Sequence, residues 1–146
     1  MPKIDLVRAI IRYNPINFSR NFVQGAPSKN QSARYLLLQK AKDANPENNG
    51  KWECAGGAVE RGETSEQAIT REVKEETGLE FRLVKKLPTI RNCDIYLIDA
   101  ASMNINLSPE HSDYRWMKAG DIQKQDLVAY ADLLLEFFNN PEKYLD

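Results

Sequence analysis

The apolar positions fall into short runs separated by polar punctuation. Residues 4–13, IDLVRAIIRY, are rich in β-branched side chains and predict a first strand. Residues 33–41, ARYLLLQKA, predict a second, and the run Leu36-Leu37-Leu38 implies burial on both faces. The intervening residues 14–32 carry two prolines, a glycine and many amides, which reads as a long loop or insertion. A polar turn region follows at 42–51, then a short strand at 52–59 broken by glycines.

The period then changes from two to that of a helix. Thr64 to Thr77 predicts a helix with Thr64 as N-cap, Gln67 completing a capping box and Gly78 as the C-terminal stop. Residues 79–87 and 93–101 alternate like strands, and 105–107, Ile-Asn-Leu, predicts a short third. Residues 114–122 lead into a last helix over 125–139. Its stripe of Leu127, Ala131, Leu134 and Phe138 has helical spacing and reads as a face packed on the core; Pro141 ends it. The order β-β-β-α-β-β-β-α, without an internal repeat or linker, predicts one mixed α/β domain over residues 1–146.

Composition narrows the function. Of 146 residues, 42% are apolar and 28% charged, the profile of a soluble globular chain. Twenty basic side chains against 21 acidic ones leave a net charge of -1, which argues against general nucleic-acid binding. A small phosphorylated ligand stays open. No apolar run approaches a membrane span, and the first ten residues lack the apolar segment of a signal peptide, so a cytoplasmic protein is expected. In that compartment Cys54 and Cys93 read as two free, buried thiols.

The chemistry-bearing stretch is residues 56–80, GGAVERGETSEQAITREVKEETGLE, with seven glutamates and no aspartate. On a helical wheel of about 100° per residue, Glu75 and Glu76 fall roughly 60° and 40° to either side of Glu72. All three share one face, where like charges repel. Two readings account for this: a solvated acidic face, or carboxylates gathered for a divalent cation. Carboxylate oxygens suit Mg²⁺ or Mn²⁺. Ile69 and Val73 flank the face and would dock the helix on the sheet. Gly56 and Gly57 leave the backbone open to a metal or a phosphate. His111 is the only histidine and no second histidine or paired cysteine accompanies it, so zinc is not expected; a surface or hydrogen-bonded role is.

Gly57, Glu63 and the run Arg71-Glu72-Val73-Lys74-Glu75-Glu76-Thr77-Gly78-Leu79 resemble the Nudix box, G-x5-E-x7-R-E-U-x-E-E-x-G-U with U a bulky aliphatic, at every specified position. The resemblance implies a Nudix-type α/β/α sandwich with a mixed sheet. It implies hydrolysis of a pyrophosphate bond in a nucleoside diphosphate linked to another group. Glu72, Glu75, Glu76 and the Gly56 carbonyl would hold Mg²⁺, with Mn²⁺ as the alternative ion. Glu63 and Arg71 resemble the family's supporting ion pair, and direct phosphate contact is a second role for Arg71. The catalytic base is either a box glutamate, such as Glu75, or a later carboxylate. Residues 108–116, SPEHSDYRW, resemble a downstream segment that offers Glu110, with Asp113 behind it. One departure stands before the box, where Ala55 occupies the position of a common proline; Trp52 is expected in the core.

Substrate choice is less legible. Tyr96 sits where dinucleoside polyphosphate hydrolases carry a tyrosine, and Asp94 stands where ADP-ribose hydrolases carry a proline. Phe18, Phe22 and Tyr35 are candidates to stack on a base, although a core or loop role suits each. The leading expectation is a nucleoside or dinucleoside polyphosphate. The alternatives are a nucleotide sugar or ADP-ribose, or a non-catalytic nucleotide-sensing module. A homodimer is compatible with the resemblance.

Overall fold

The computed structural model describes residues 3–15, 33–42, 45–128, 131 and 134–145. Among the described residues, seven strands form one mixed sheet: β1 Leu6–Tyr13, β2 Arg34–Lys40, β3 Trp52–Glu53, β4 Gly56–Ala58, β5 Phe81–Ile90, β6 Cys93–Ala100 and β7 His111–Met117. β1 lies parallel to β6 and antiparallel to β2 and β4; β2 also pairs with β3 and β7, and β5 with β6. The helices are α1 Ser65–Thr77, α2 Ala119–Ile122, α3 Leu135–Asn139 and α4 Pro141–Tyr144.

The sheet is covered on both faces, which explains its continuous apolar strands. Val7, Ala9 and Ile11 of β1, with Leu36, Leu38 and Ile98, pack against Ala68, Ile69 and Val73 of α1. The alternate positions Ile10, Tyr35, Leu37, Ile95 and Leu97 pack against Leu134, Phe137 and Phe138 on the other face. The result is an α/β/α sandwich with a core on each side. Trp52, Cys54 and Cys93 belong to the second core, and both cysteines are free thiols.

α1 starts and stops where its sequence says. Thr64 Oγ1 accepts from Gln67 N (3.1 Å), Gln67 Oε1 accepts from Thr64 N (2.9 Å), and Gly78 adopts the left-handed conformation with φ 67°. β5 and β6 meet in a tight hairpin whose central residues, Arg91 and Asn92, both have positive φ, as a type I′ turn requires. Pro88 lies inside β5, where an edge strand with an irregular register tolerates it.

Three expectations at the C-terminal half are corrected. Residues 105–107 form no strand; Ile105 and Leu107 instead cap the α1-side core as irregular chain. The missing strand is β7, whose polar residues Ser112, Asp113 and Arg115 obscured its alternation because only one end of it is buried. The last helix does not begin at 125. Leu127 makes a parallel bridge to Trp52, whose backbone groups bond Asp126 and Val128, and among the described residues α-helix runs over Leu135–Asn139. Backbone pairing with β3 wins over the helical stripe there. Pro141 starts α4 as its first residue, where the missing N–H costs nothing. Among the described residues no helix is long and apolar enough to cross a membrane.

Candidate active site

The site forms where β4 passes beneath α1. A Cβ on Gly57 would lie 2.5 Å from Glu72 Oε1, so only glycine admits that carboxylate. Gly56 is squeezed from the other side, because a Cβ there would run into the Val7 carbonyl of β1. Its amide donates to Glu76 Oε2 at 3.2 Å. The glycine pair therefore lets helix and strand close on each other with carboxylates between them.

Arg71 ties the loop before α1 to the helix. It donates side-on to Glu63, Nε to Oε2 at 2.8 Å and Nη2 to Oε1 at 2.9 Å. It also reaches Glu72 Oε1 at 2.9 Å, the Ala58 carbonyl at 3.2 Å and Glu75 Oε2 at 3.5 Å. The Arg71 hydrogen bonds, and then the Glu60 amide, hold the Glu63 carboxyl at about 2. Glu63 in turn raises the Arg71 guanidinium above its usual range, which keeps it charged.

The three helix carboxylates share a face but not a depth. Glu76 is 3% exposed, Glu72 14% and Glu75 60%. Glu75 and Glu76 flank Glu72 on opposite sides of the wheel, and the strand beneath the helix buries the Glu76 side. Burial raises the Glu76 carboxyl to about 8, against the opposing pull of the Gly56 amide and Arg8.

At the deep end, ligand atoms of Glu76, Glu110 and His111 lie within 4.8 Å of one another. Glu110 stands exposed just ahead of β7, and His111, the first residue of β7, is buried. Of the surface or hydrogen-bonded role expected for His111, the structure shows the second. Its Nε2 lies 2.9 Å from Glu53 Oε1, with side-chain exposures of 1% and 3%. Lys40 Nζ is 3.4 Å and Arg8 Nη1 3.8 Å from Glu53 Oε2. Glu53 was missed altogether. Its only signal was a carboxylate between two apolar residues, Trp52 and Cys54, in a buried strand.

Other candidates lie elsewhere. Asp113 is exposed on β7 and accepts from the amide of Tyr114 at 2.8 Å. Tyr96 is buried, with its hydroxyl 2.5 Å from Ser65 Oγ at the start of α1. Asp94 accepts from Thr89 Oγ1 at 2.6 Å. Tyr35 packs in the core against Phe138. Phe18 and Phe22 lie outside the described residues.

A mixed sheet between two helical layers, with an arginine-clamped acidic helix over a glycine pair, defines a hydrolase fold of one family. The model of the NUDIX domain matches residues 24–137, and the chain belongs to that family. It is a Nudix pyrophosphohydrolase, acting on a pyrophosphate bond in a nucleotide. Among its relatives, the nucleoside triphosphatase NudI of Klebsiella pneumoniae (strain 342) is 34% identical over 130 residues, covering 75% of this chain and 90% of that protein. Among solved structures, the Nudix hydrolase RenU of M. smegmatis superposes with a TM-score of 0.68 at 18% identity, over 94% of this chain and 84% of that one. The E. coli ORF135 protein superposes with a TM-score of 0.60 at 26% identity, over 96% and 91%.

Proposed function

We propose that this enzyme is a divalent-cation-dependent pyrophosphohydrolase of nucleoside triphosphates. The observation that carries the cation dependence is the meeting of Glu76 from α1 with Glu110 and His111 from the start of β7, within 4.8 Å. The donor set fits such an ion, since hard carboxylate oxygens converge beside the backbone of Gly56, and a buried carboxyl pushed up to about 8 is one that a cation would relieve. Glu76 and the Gly56 carbonyl would hold it, with Glu72 and Glu75 further out along the helix and Glu110 beside it. When bound, the ion neutralises diphosphate charge and acidifies water. The substrate class is supported by the 34% identity to a nucleoside triphosphatase.

The chain's own residues supply placement and proton transfer. Arg71, clamped by Glu63, keeps the 56–63 loop closed against the helix, so the glycine backbone keeps its distance from Glu72 and Glu76. Glu110 is exposed and takes the proton from the attacking water as general base. Glu75, 60% exposed and in contact with Arg71, is the second candidate. Water adds to one phosphorus of the α–β bridge, the bridging P–O bond breaks, and a nucleoside monophosphate and pyrophosphate leave.

A dinucleoside polyphosphate is the second substrate raised by the sequence. Tyr96, the residue behind that hint, spends its hydroxyl on Ser65 and is buried, which favours the triphosphate. The test is a panel of nucleoside triphosphates, dinucleoside polyphosphates, ADP-ribose and nucleotide sugars, assayed with Mg²⁺ or Mn²⁺ and with EDTA. Triphosphates should give monophosphate and pyrophosphate, and EDTA should stop the reaction. Preferred turnover of another member of the panel would refute the substrate class. Full turnover in EDTA would refute the cation dependence.

A further inference from the structure

We infer that His111 is a nitrogen ligand of the active-site cation, oriented by Glu53, and that the site therefore favours a transition ion such as Mn²⁺ over Mg²⁺. The inference rests on the cation-dependent reading above and adds a residue that the box does not contain.

The two nitrogens of His111 have different surroundings. Nε2 lies 2.9 Å from Glu53 Oε1. A carboxylate only accepts, so the ring proton sits on Nε2 and the lone pair is left on Nδ1. Nδ1 is buried and has no hydrogen-bond partner among the described residues. Buried polar atoms are almost always satisfied, so an unpartnered one asks for a ligand. A ring nitrogen of His111 lies within 4.8 Å of carboxylate oxygens of Glu76 and Glu110, and Nδ1 is the one that Glu53 leaves with a free lone pair. Histidine ligands are commonly fixed in this way by a carboxylate on their other nitrogen.

The fold builds the arrangement from the sheet outward. Leu38 pairs with both Glu53 and Tyr114, and Lys40 pairs with His111, across a bulge at Gln39/Lys40. Paired residues point to the same side of a sheet, so Glu53, Lys40 and His111 share the face that α1 covers. Arg8 approaches Oε2, the Glu53 oxygen that His111 does not use, and Lys40 Nζ straddles both oxygens at 3.5 and 3.4 Å, which together hold the carboxylate in one orientation. Glu53 is thus a positioning residue, reaching the cation only through the imidazole. Imidazole suits transition ions, whereas Mg²⁺ keeps to oxygen donors, so the nitrogen biases the choice of metal.

The experiment uses the whole chain and reads metal binding, not turnover. Pulsed EPR of Mn²⁺ bound to the wild-type protein should show electron spin-echo modulation from a directly bound imidazole nitrogen. His111→Gln should remove that modulation and weaken Mn²⁺ binding by at least the roughly 10–100-fold typical of losing a ligand's supporting partner, while Mg²⁺ binding changes far less. Glu53→Gln should weaken Mn²⁺ binding in the same direction. Absence of nitrogen modulation in the wild type would overturn the inference without depending on any variant's folding. So would a folded His111→Gln protein with unchanged Mn²⁺ affinity. If Glu76→Gln weakens Mn²⁺ binding and His111→Gln does not, the cation site stands and the role of His111 falls. A wild-type protein that binds neither ion overturns both.

Discussion

Replacing Glu76 by glutamine should make the metal-free protein more stable than wild type as pH rises above 5. The carboxyl is nearly fully buried, and its value is about 8 in the folded protein against the usual 4.5. A raised carboxyl binds a proton in the folded state that the unfolded chain has lost. Stability therefore falls with pH between the two values and is flat above the higher one. The interval is 8 less 4.5, about 3.5 pH units, and each unit is worth about 1.4 kcal/mol. The wild-type protein thus loses on the order of 5 kcal/mol by pH 9, and about 3 of that by pH 7. Glutamine stays neutral and its amide oxygen can still accept from the Gly56 N–H, so the variant should not carry this loss. Urea unfolding in EDTA at pH 5 through 9 measures it. The stability difference between variant and wild type cancels the titration of other groups. That difference should grow by a few kcal/mol and level off near pH 8. Added Mn²⁺ should restore the wild type, whose carboxylate is then paired, and not the variant. A difference that stays constant across the pH range would refute the reasoning, because Glu76 would then be as well solvated folded as unfolded.

Other expectations follow from single contacts. Glu110→Gln should lower kcat by about 10²-fold or more, within the range for a lost general base, while its melting temperature stays near wild type because the residue is exposed; near-normal turnover would remove Glu110 from the mechanism. Gly57→Ala places a Cβ 2.5 Å from Glu72 Oε1, so it should push that carboxylate off Arg71 and cut activity at least about tenfold, read as kcat/KM with far-ultraviolet dichroism unchanged. Tyr96→Phe removes the hydroxyl that meets Ser65, and denaturation should show a loss of about 1 kcal/mol with KM unaltered. A changed KM would return Tyr96 to the substrate site.

Much of this was legible from local rules. The caps of α1 are written in Thr64, Gln67 and Gly78, because a capping box and a left-handed stop depend only on near neighbours. The two-sided burial of β2 could be read from three consecutive leucines, since a strand alternates and a polar face was missing. β7 failed the same test because it carries polar residues on both faces at a sheet edge. The expected helix start at 125 failed because Trp52, some 75 positions earlier, captures Leu127 in backbone pairing. Helical periodicity holds no information about such a partner.

The sequence alone determined the family, the identity of the acidic helix and the carboxylates it offers, because the spacing of Gly57, Glu63 and residues 71–79 is a covalent fact. Only the tertiary structure decided how those carboxylates divide. Glu76 goes inward to Gly56, Glu72 lies over Gly57 and Glu75 stays in water, since depth is set by the strand packed beneath the helix. The same holds for Glu53 and His111, which are 58 residues apart in the chain and 2.9 Å apart in the molecule. Strand register across β2 brings them together, and no local pattern of hydrophobic and polar positions encodes that meeting.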